Sequence, residues 1–321
     1  MQGPQVTVVG ECVADALLAS STAPSGELAL RVLPGGGPAN TAVALGRLGT
    51  AVRFLGRLSD DTFGRLFRAR LTESQVDVRD CPRAAEPSTL AVAELDEHGS
   101  ATWSFHAEGT ADWQWTAAEL DAVDLAGTAC LHAGSLTLIR APGAAVVEDF
   151  LVRAATGATV SLDPNVRPQL VPPADYRARL TRWCEVADIL RVSEEDLEVL
   201  RPGTPPERAC DEWHASGARL VVVTRGDRGA LVSLDGERAE LPGVPVRVAD
   251  TVAAGDSFTA GLLHHLGARG LLGGRLTDLT LADAVAAAEL GTRVAALTCS
   301  VPGPNPPWAH QLGGPATTPV L

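Results

Sequence analysis

The chain has 321 residues, 39 acidic side chains against 26 basic ones, and a formal net charge of −13. Every basic side chain is arginine, which closes off a P-loop lysine and all lysine Schiff-base chemistry, including pyridoxal phosphate enzymes and lysine aldolases. An acidic chain with no basic run is not expected to partner nucleic acid, and its length suits one large α/β domain.

In chain order, residues 6–10 form a short β-branched apolar run that reads as a buried strand. No basic region precedes it, and it is too short for a signal-peptide core or a membrane span. A cytoplasmic location without a membrane partner is therefore expected. Residues 12–20 and 28–33 read as strands around the polar turn Pro24-Ser25-Gly26. Residues 38–48 form a helix with a proline in its first turn, 52–56 a strand, and 61–73 a helix. Residues 89–96 and 100–106 alternate around Asp96-Glu97-His98-Gly99, a hairpin pattern.

From there, candidate strands 129–132, 159–163, 189–192 and 220–224 alternate with candidate helices 141–155, 174–184, 206–216, 256–267 and 281–296. That order predicts an α/β fold: a doubly wound, mostly parallel sheet with helices on both faces. The early hairpin-like segments, 12–33 and 88–108, fall outside the alternation and predict a small β-sheet lid over the strand C-termini. A single domain over 1–310 follows, with the Pro/Gly-rich tail 311–321 expected to be disordered at its end. The six cysteines form no Cys-x-x-Cys pair and no His-x-x-x-His accompanies them, so buried thiols in a reducing compartment are expected rather than a zinc site.

The chemistry concentrates in Asp250-Thr251-Val252-Ala253-Ala254-Gly255-Asp256-Ser257-Phe258-Thr259-Ala260-Gly261. Ala253, Ala254 and Gly255 let backbone N–H groups converge at the start of an apolar helix, where the dipole favours an anion. Asp256 lies beside that cradle as a carboxylate able to take a proton from an alcohol. The structural alternative is a plain N-cap and tight turn. A second glycine loop shifts the balance toward function. Gly35, Gly36 and Gly37 precede a helix, and Asn40 offers both donor and acceptor to a hydroxyl.

These two segments resemble the paired signatures of the ribokinase-like (PfkB) carbohydrate kinases. Gly36-Gly37-Pro38-Ala39-Asn40-Thr41-Ala42 resembles the N-terminal signature, and residues 250–263 resemble the C-terminal one at every defining position. The resemblance runs from about residue 6 to about residue 304. It implies an ATP-dependent sugar kinase in which Asp256 is the base and Ala253, Ala254 and Gly255 hold the charge of the moving phosphoryl group. The sugar would meet Asp15, Gly36, Gly37, Asn40, the lid aromatic Phe105 and Arg167. ATP would lie along Ser193, Thr224, Gly226 and Gly229.

Ser193-Glu194-Glu195-Asp196 falls on the family's Asn-x-x-Glu segment, with Ser193 in place of Asn and Asp196 in place of Glu. The resemblance implies Mg²⁺ held through water near Asp196 or Glu195. It also implies K⁺ on carbonyls of Asp250 and Val252 with the loop near 299–303, and dimerisation through the lid. Glu11, Asp15, the Asp163-Pro164-Asn165-Val166-Arg167 run and the lid's Glu108-Gly109-Thr110-Ala111 are similar to fructokinase-like members, making fructose the first choice. Ribose and 2-keto-3-deoxygluconate are the alternatives. A non-catalytic sugar or nucleotide sensor on the same fold stays open. A dinucleotide oxidoreductase does not, because Gly35-Gly36-Gly37 is not Gly-x-Gly-x-x-Gly after the first strand. His132, at a strand end, reads as a core histidine.

Overall fold

The structure is a computed structural model that describes residues 6–18, 27–95 and 101–313. The two expected turns at 24–26 and 96–99 and the tail end beyond 313 lie outside the described residues. In chain order the elements begin with Val6–Val9 (β1), Val13–Leu18 (β2), Leu30–Gly35 (β3), Gly37–Arg47 (α1), Val52–Leu55 (β4) and Leu58–Ser59 (β5). Thr62–Glu73 (α2), Arg83–Ala84 (β6), Thr89–Leu95 (β7), Ala101–His106 (β8), Ala117–Asp121 (α3), Cys130–Gly134 (β9) and Ala144–Ala154 (α4) follow. Next come Thr159–Asp163 (β10), Pro173–Val186 (α5), Ile189–Ser193 (β11), Glu194–Leu200 (α6), Pro206–Ala215 (α7) and Leu220–Thr224 (β12). Ala230–Leu234 (β13), Glu237–Leu241 (β14), Ala254–Ala268 (α8) and Leu281–Cys299 (α9) complete the order.

An eight-stranded sheet carries the order β14-β13-β12-β11-β10-β9-β1-β4. It is parallel from β4 to β12, and β13 and β14 add antiparallel at one edge. The parallel strands are buried along their length, as sheets covered on both faces must be. Alternate residues feed two cores. Ile189 and Val222 face the side packed by α1, α8 and α9, whereas Leu190, Val221 and Val223 face the side of Phe150, Tyr176, Trp183 and Trp213. The expected layers are therefore present.

The chain leaves β1 for β4 on one side and returns through β9 on the other. This makes the mouth between β1 and β9 a topological switch point, where open α/β sheets place their ligands. A separate four-stranded sheet, β3-β2-β7-β8, grows from the chain just beyond the C-terminus of β1. Buried Asp112 ties it down by accepting from the Cys12 N–H at 2.9 Å and the Thr89 hydroxyl at 2.6 Å.

Candidate active site

Helix α8 begins at Ala254, two residues before the expected start at Asp256. No side chain caps it. Ala253 stands at the N-cap in the left-handed region (φ 64°), a conformation that costs a non-glycine residue free energy and signals a position fixed for a purpose. The Ala254 N–H donates back to Thr251 O at 3.2 Å. The N–H groups of Ala253, Gly255 and Asp256 have no partner among the described residues. Of the expected 253–255 set, Ala253 and Gly255 thus offer N–H groups to an anion together with Asp256, while the Ala254 N–H closes the turn.

Helix α1 aims its first turn at the same place. Gly36 has φ 100°, which only glycine adopts without strain, and a Cβ there would lie 2.5 Å from Glu11 O. At Gly37 a Cβ would fall 2.7 Å from Asn165 Nδ2, 3.2 Å from Asp256 Oδ1 and 3.8 Å from Ser135 Cβ. Residues from the ends of β9 and β10 and from both helix N-termini thus converge on one point. Asn40 Nδ2 donates to Asp256 Oδ2 at 2.9 Å and orients the carboxylate. Ser135 (φ 58°) and Asn165 (φ 41°) join Ala253 as left-handed residues around this point.

Burial pushes the Asp256 carboxyl up to about 7. The Asn40 hydrogen bond lowers it, the neighbouring Asp163 raises it, and Arg167 and Arg191 lower it. Asp15 is likewise raised to about 7, by burial against the pull of Arg167. Its Oδ2 lies 2.0 Å from where a Gly35 Cβ would be. Arg167 therefore acts on both carboxylates, although its own Nη1 donates to the Asn165 and Val166 carbonyls at 3.2 and 3.0 Å. Phe105 shares a rung with Ala91 and Asp15, so it faces the same side of the small sheet, stacked on Trp103 with centroids 6.1 Å apart. It also lines a flanking cleft of ≈ 540 Å³ with Phe63, Leu90 and His106, a cleft that neither Asp15 nor Asp256 touches.

Ser193 and Thr224 are register partners at the ends of β11 and β12. Gly226 (φ 60°) and Gly229 (φ 87°) shape the turn after Thr224. The structure shows a structural task for Asp196. Its Oδ1 accepts from Val166 N–H at 2.7 Å, and its Oδ2 accepts from Ser193 N–H and Oγ–H at 3.1 and 2.8 Å. Both oxygens are thereby engaged in a capping box and in holding the loop after β10. Glu195 beside it is exposed. No cluster of three or more His, Cys, Asp or Glu able to hold a metal occurs among the described residues.

The Asp250 carboxylate accepts from Val252 N–H at 3.0 Å and Gly303 N–H at 2.9 Å, so the two expected K⁺ segments do meet. The Cys299 carbonyl, however, is taken by the Ala249 and Asp250 N–H groups. His132 is buried, bonded to Ser161 Oγ at 3.1 Å and pushed down to about 4 by burial, as a core imidazole. Sequence reasoning assigned no role to Arg191, Ser135 or Asp112. Arg191 alone left a trace, as a charge inside an apolar strand.

A buried carboxylate held by an amide, next to three N–H groups without a partner among the described residues at a helix N-terminus, suits transfer of a phosphoryl group to an alcohol. The comparisons agree. Residues 4–311 match the model of the pfkB family carbohydrate kinases, and the chain belongs to that family. A fructokinase of Rhizobium leguminosarum bv. trifolii is 37% identical over 260 residues, covering 80% of this chain and 78% of that protein. One of Klebsiella pneumoniae is 36% identical, covering 87% and 91%. Among solved structures, a Vibrio cholerae O395 fructokinase double mutant with fructose, ADP and potassium superposes with TM-score 0.81 at 27% identity, covering 95% of each chain. A Xylella fastidiosa fructokinase with ATP gives 0.83 at 28%, covering 93% and 92%. The protein is an ATP-dependent carbohydrate kinase of ribokinase-like fold.

Proposed function

We propose that this kinase phosphorylates a primary hydroxyl of fructose. The observation that carries the chemistry is the Asp256 carboxylate, held by Asn40 at the start of α8 and reaching toward Gly37 beside Asn165 and Ser135. The relatives named fructokinase support the choice of sugar. In this reading Asp15, Gly36, Gly37 and Asn40 hold sugar hydroxyls, and Arg167 balances the carboxylates. Asp256 takes the hydroxyl proton as the oxygen attacks the γ-phosphate in line, and the free N–H groups hold charge on the phosphoryl oxygens.

Ser193, Thr224, Gly226 and Gly229 border the nucleotide. The small sheet, with Phe105, is a lid whose closure excludes water. Mg²⁺ arriving with ATP would neutralise phosphate charge. Asp196, whose oxygens each keep a lone pair beside the hydrogen bonds they accept, or exposed Glu195 would hold that ion through water. K⁺ on the Asp250 and Val252 carbonyls, a lid-mediated homodimer and a cytoplasmic setting belong to the same proposal. No helix of the described residues is long and apolar enough to cross a membrane.

The test is ADP release with ATP and Mg²⁺, with and without K⁺, across fructose, ribose, 2-keto-3-deoxygluconate and adenosine. Fructose should turn over well above the sugar-free background and above the others. Faster turnover of another compound moves the assignment to it.

A further inference from the structure

Arg191 is the single charged side chain of β11, and it is 7% exposed. Its Nη1 donates to Asp163 Oδ2 at 2.9 Å and its Nη2 to Thr224 Oγ1 at 2.5 Å. A Cβ on Gly255 would stand 2.7, 2.8 and 3.0 Å from Nη1, Nη2 and Cζ. The guanidinium therefore lies directly against the anion loop, and Gly255 is the residue that permits this approach. Nε of Arg191 and Oδ1 of Asp163 are buried without a partner. A buried ion pair left partly unsatisfied is a poor source of stability compared with apolar residues of the same size. Its position, under the loop that carries the base, points to another use.

We propose that Arg191 is a positioning residue for phosphoryl transfer. Held between Asp163 and Thr224, it supports the 253–256 loop at Gly255 and, with Asp163, sets the charge that surrounds Asp256. This rests on Asp256 being the base. The groups acting on Asp256 are Asn40 from α1, Asp163 at the end of β10, Arg167 from the loop after it, and Arg191 from β11. Arg191 also faces the Asp196 charge from α6. Lysine keeps the charge but is a compact point charge without the planar fork, so it cannot hold Asp163, Thr224 and the loop together.

The experiment is the pH profile of kcat for R191K and D163N beside wild type, with D256N in parallel. R191K should lower plateau kcat about tenfold, leaving the sugar KM within about twofold and the acid limb in place. D163N removes a carboxylate facing Asp256, so its acid limb should move to lower pH. A purely structural pair would change melting temperature but not displace the limb. A wild-type kcat for R191K, or an unmoved or raised limb for D163N, overturns the proposal. If D163N does not fold, the double variant R191M/D163N carries the test: its kcat should fall at least as far as that of R191K, and a wild-type kcat overturns the proposal. If neither folds, the pair serves to hold β10 to β11 and the proposal falls. Turnover retained by D256N would instead remove the base assignment itself, whatever the Arg191 variants do.

Discussion

At the scale of single residues, the proposed chemistry turns on whether Asp256 is ionised when the sugar binds. Burial, reinforced by Asp163, lifts its carboxyl to about 7, and Asn40, Arg167 and Arg191 restrain that rise. A base near the working pH is half-ionised there and still strong enough to accept the hydroxyl proton. The base is lost as pH falls through that value, so turnover should rise from pH 6 to 8. Asp256→Asn keeps the shape and an acceptor for Asn40 but removes the base, and kcat should drop by about 10²–10⁴-fold. Sugar and ATP binding, followed by calorimetry, should stay near wild type. Wild-type turnover would show that the proton leaves by another route.

At the scale of elements, α6 shows how a motif can also carry a structural task. Ser193 and Asp196 form a reciprocal capping box, and Asp196 also holds the Val166 N–H, tying the helix start to the loop that carries Arg167. Asp196→Ala leaves the Val166 N–H and the Ser193 N–H and hydroxyl without their carboxylate acceptor, although the backbone N–H of residue 196 still donates to Ser193 Oγ. The cost should be about 2–4 kcal/mol, read as a lower urea midpoint with an unchanged m-value. Where this hold is the whole of its task, the Mg²⁺ activation curve keeps its midpoint. A shifted curve would return this residue to the metal.

This is also where sequence and structure part. Strands such as Leu220–Thr224 were legible because burial on both faces leaves an unbroken apolar run, and Asp256 and Asn40 because their short motifs carry their chemistry locally. The Asp196 contact to Val166 spans distant parts of the chain, as does the Arg191–Asp163 pair set by adjacent strands β10 and β11. No local spacing encodes either. The start of α8 was misplaced because a left-handed alanine opens it in place of a side-chain cap.

At the scale of the whole molecule, these buried acids set how stability varies with pH. Asp15, Asp112 and Asp256 are each raised to about 7 and Asp188 to about 6, in every case with burial as the largest cause. Glu11 is raised as well. A carboxyl whose folded value lies above its unfolded value binds more protons in the native state between the two. Stability must therefore fall as pH rises through that window. His132, pushed down to about 4, and His264, also pushed down, act in the opposite sense below the ordinary imidazole value, but two imidazoles face five carboxyls. The growing negative charge of a chain already at −13 adds repulsion in the same direction. The urea midpoint should accordingly decline from about pH 5 to pH 7.5, by about 1.4 kcal/mol per pH unit for each net proton the native state holds. Asp256→Asn removes one of these groups, so it should flatten the slope and be more stable than wild type at pH 8 while being the less active enzyme. A midpoint that rises with pH over this range, or a variant no more stable at pH 8, would mean that the site's carboxylates are solvated in the free protein rather than held in a dry pocket awaiting sugar.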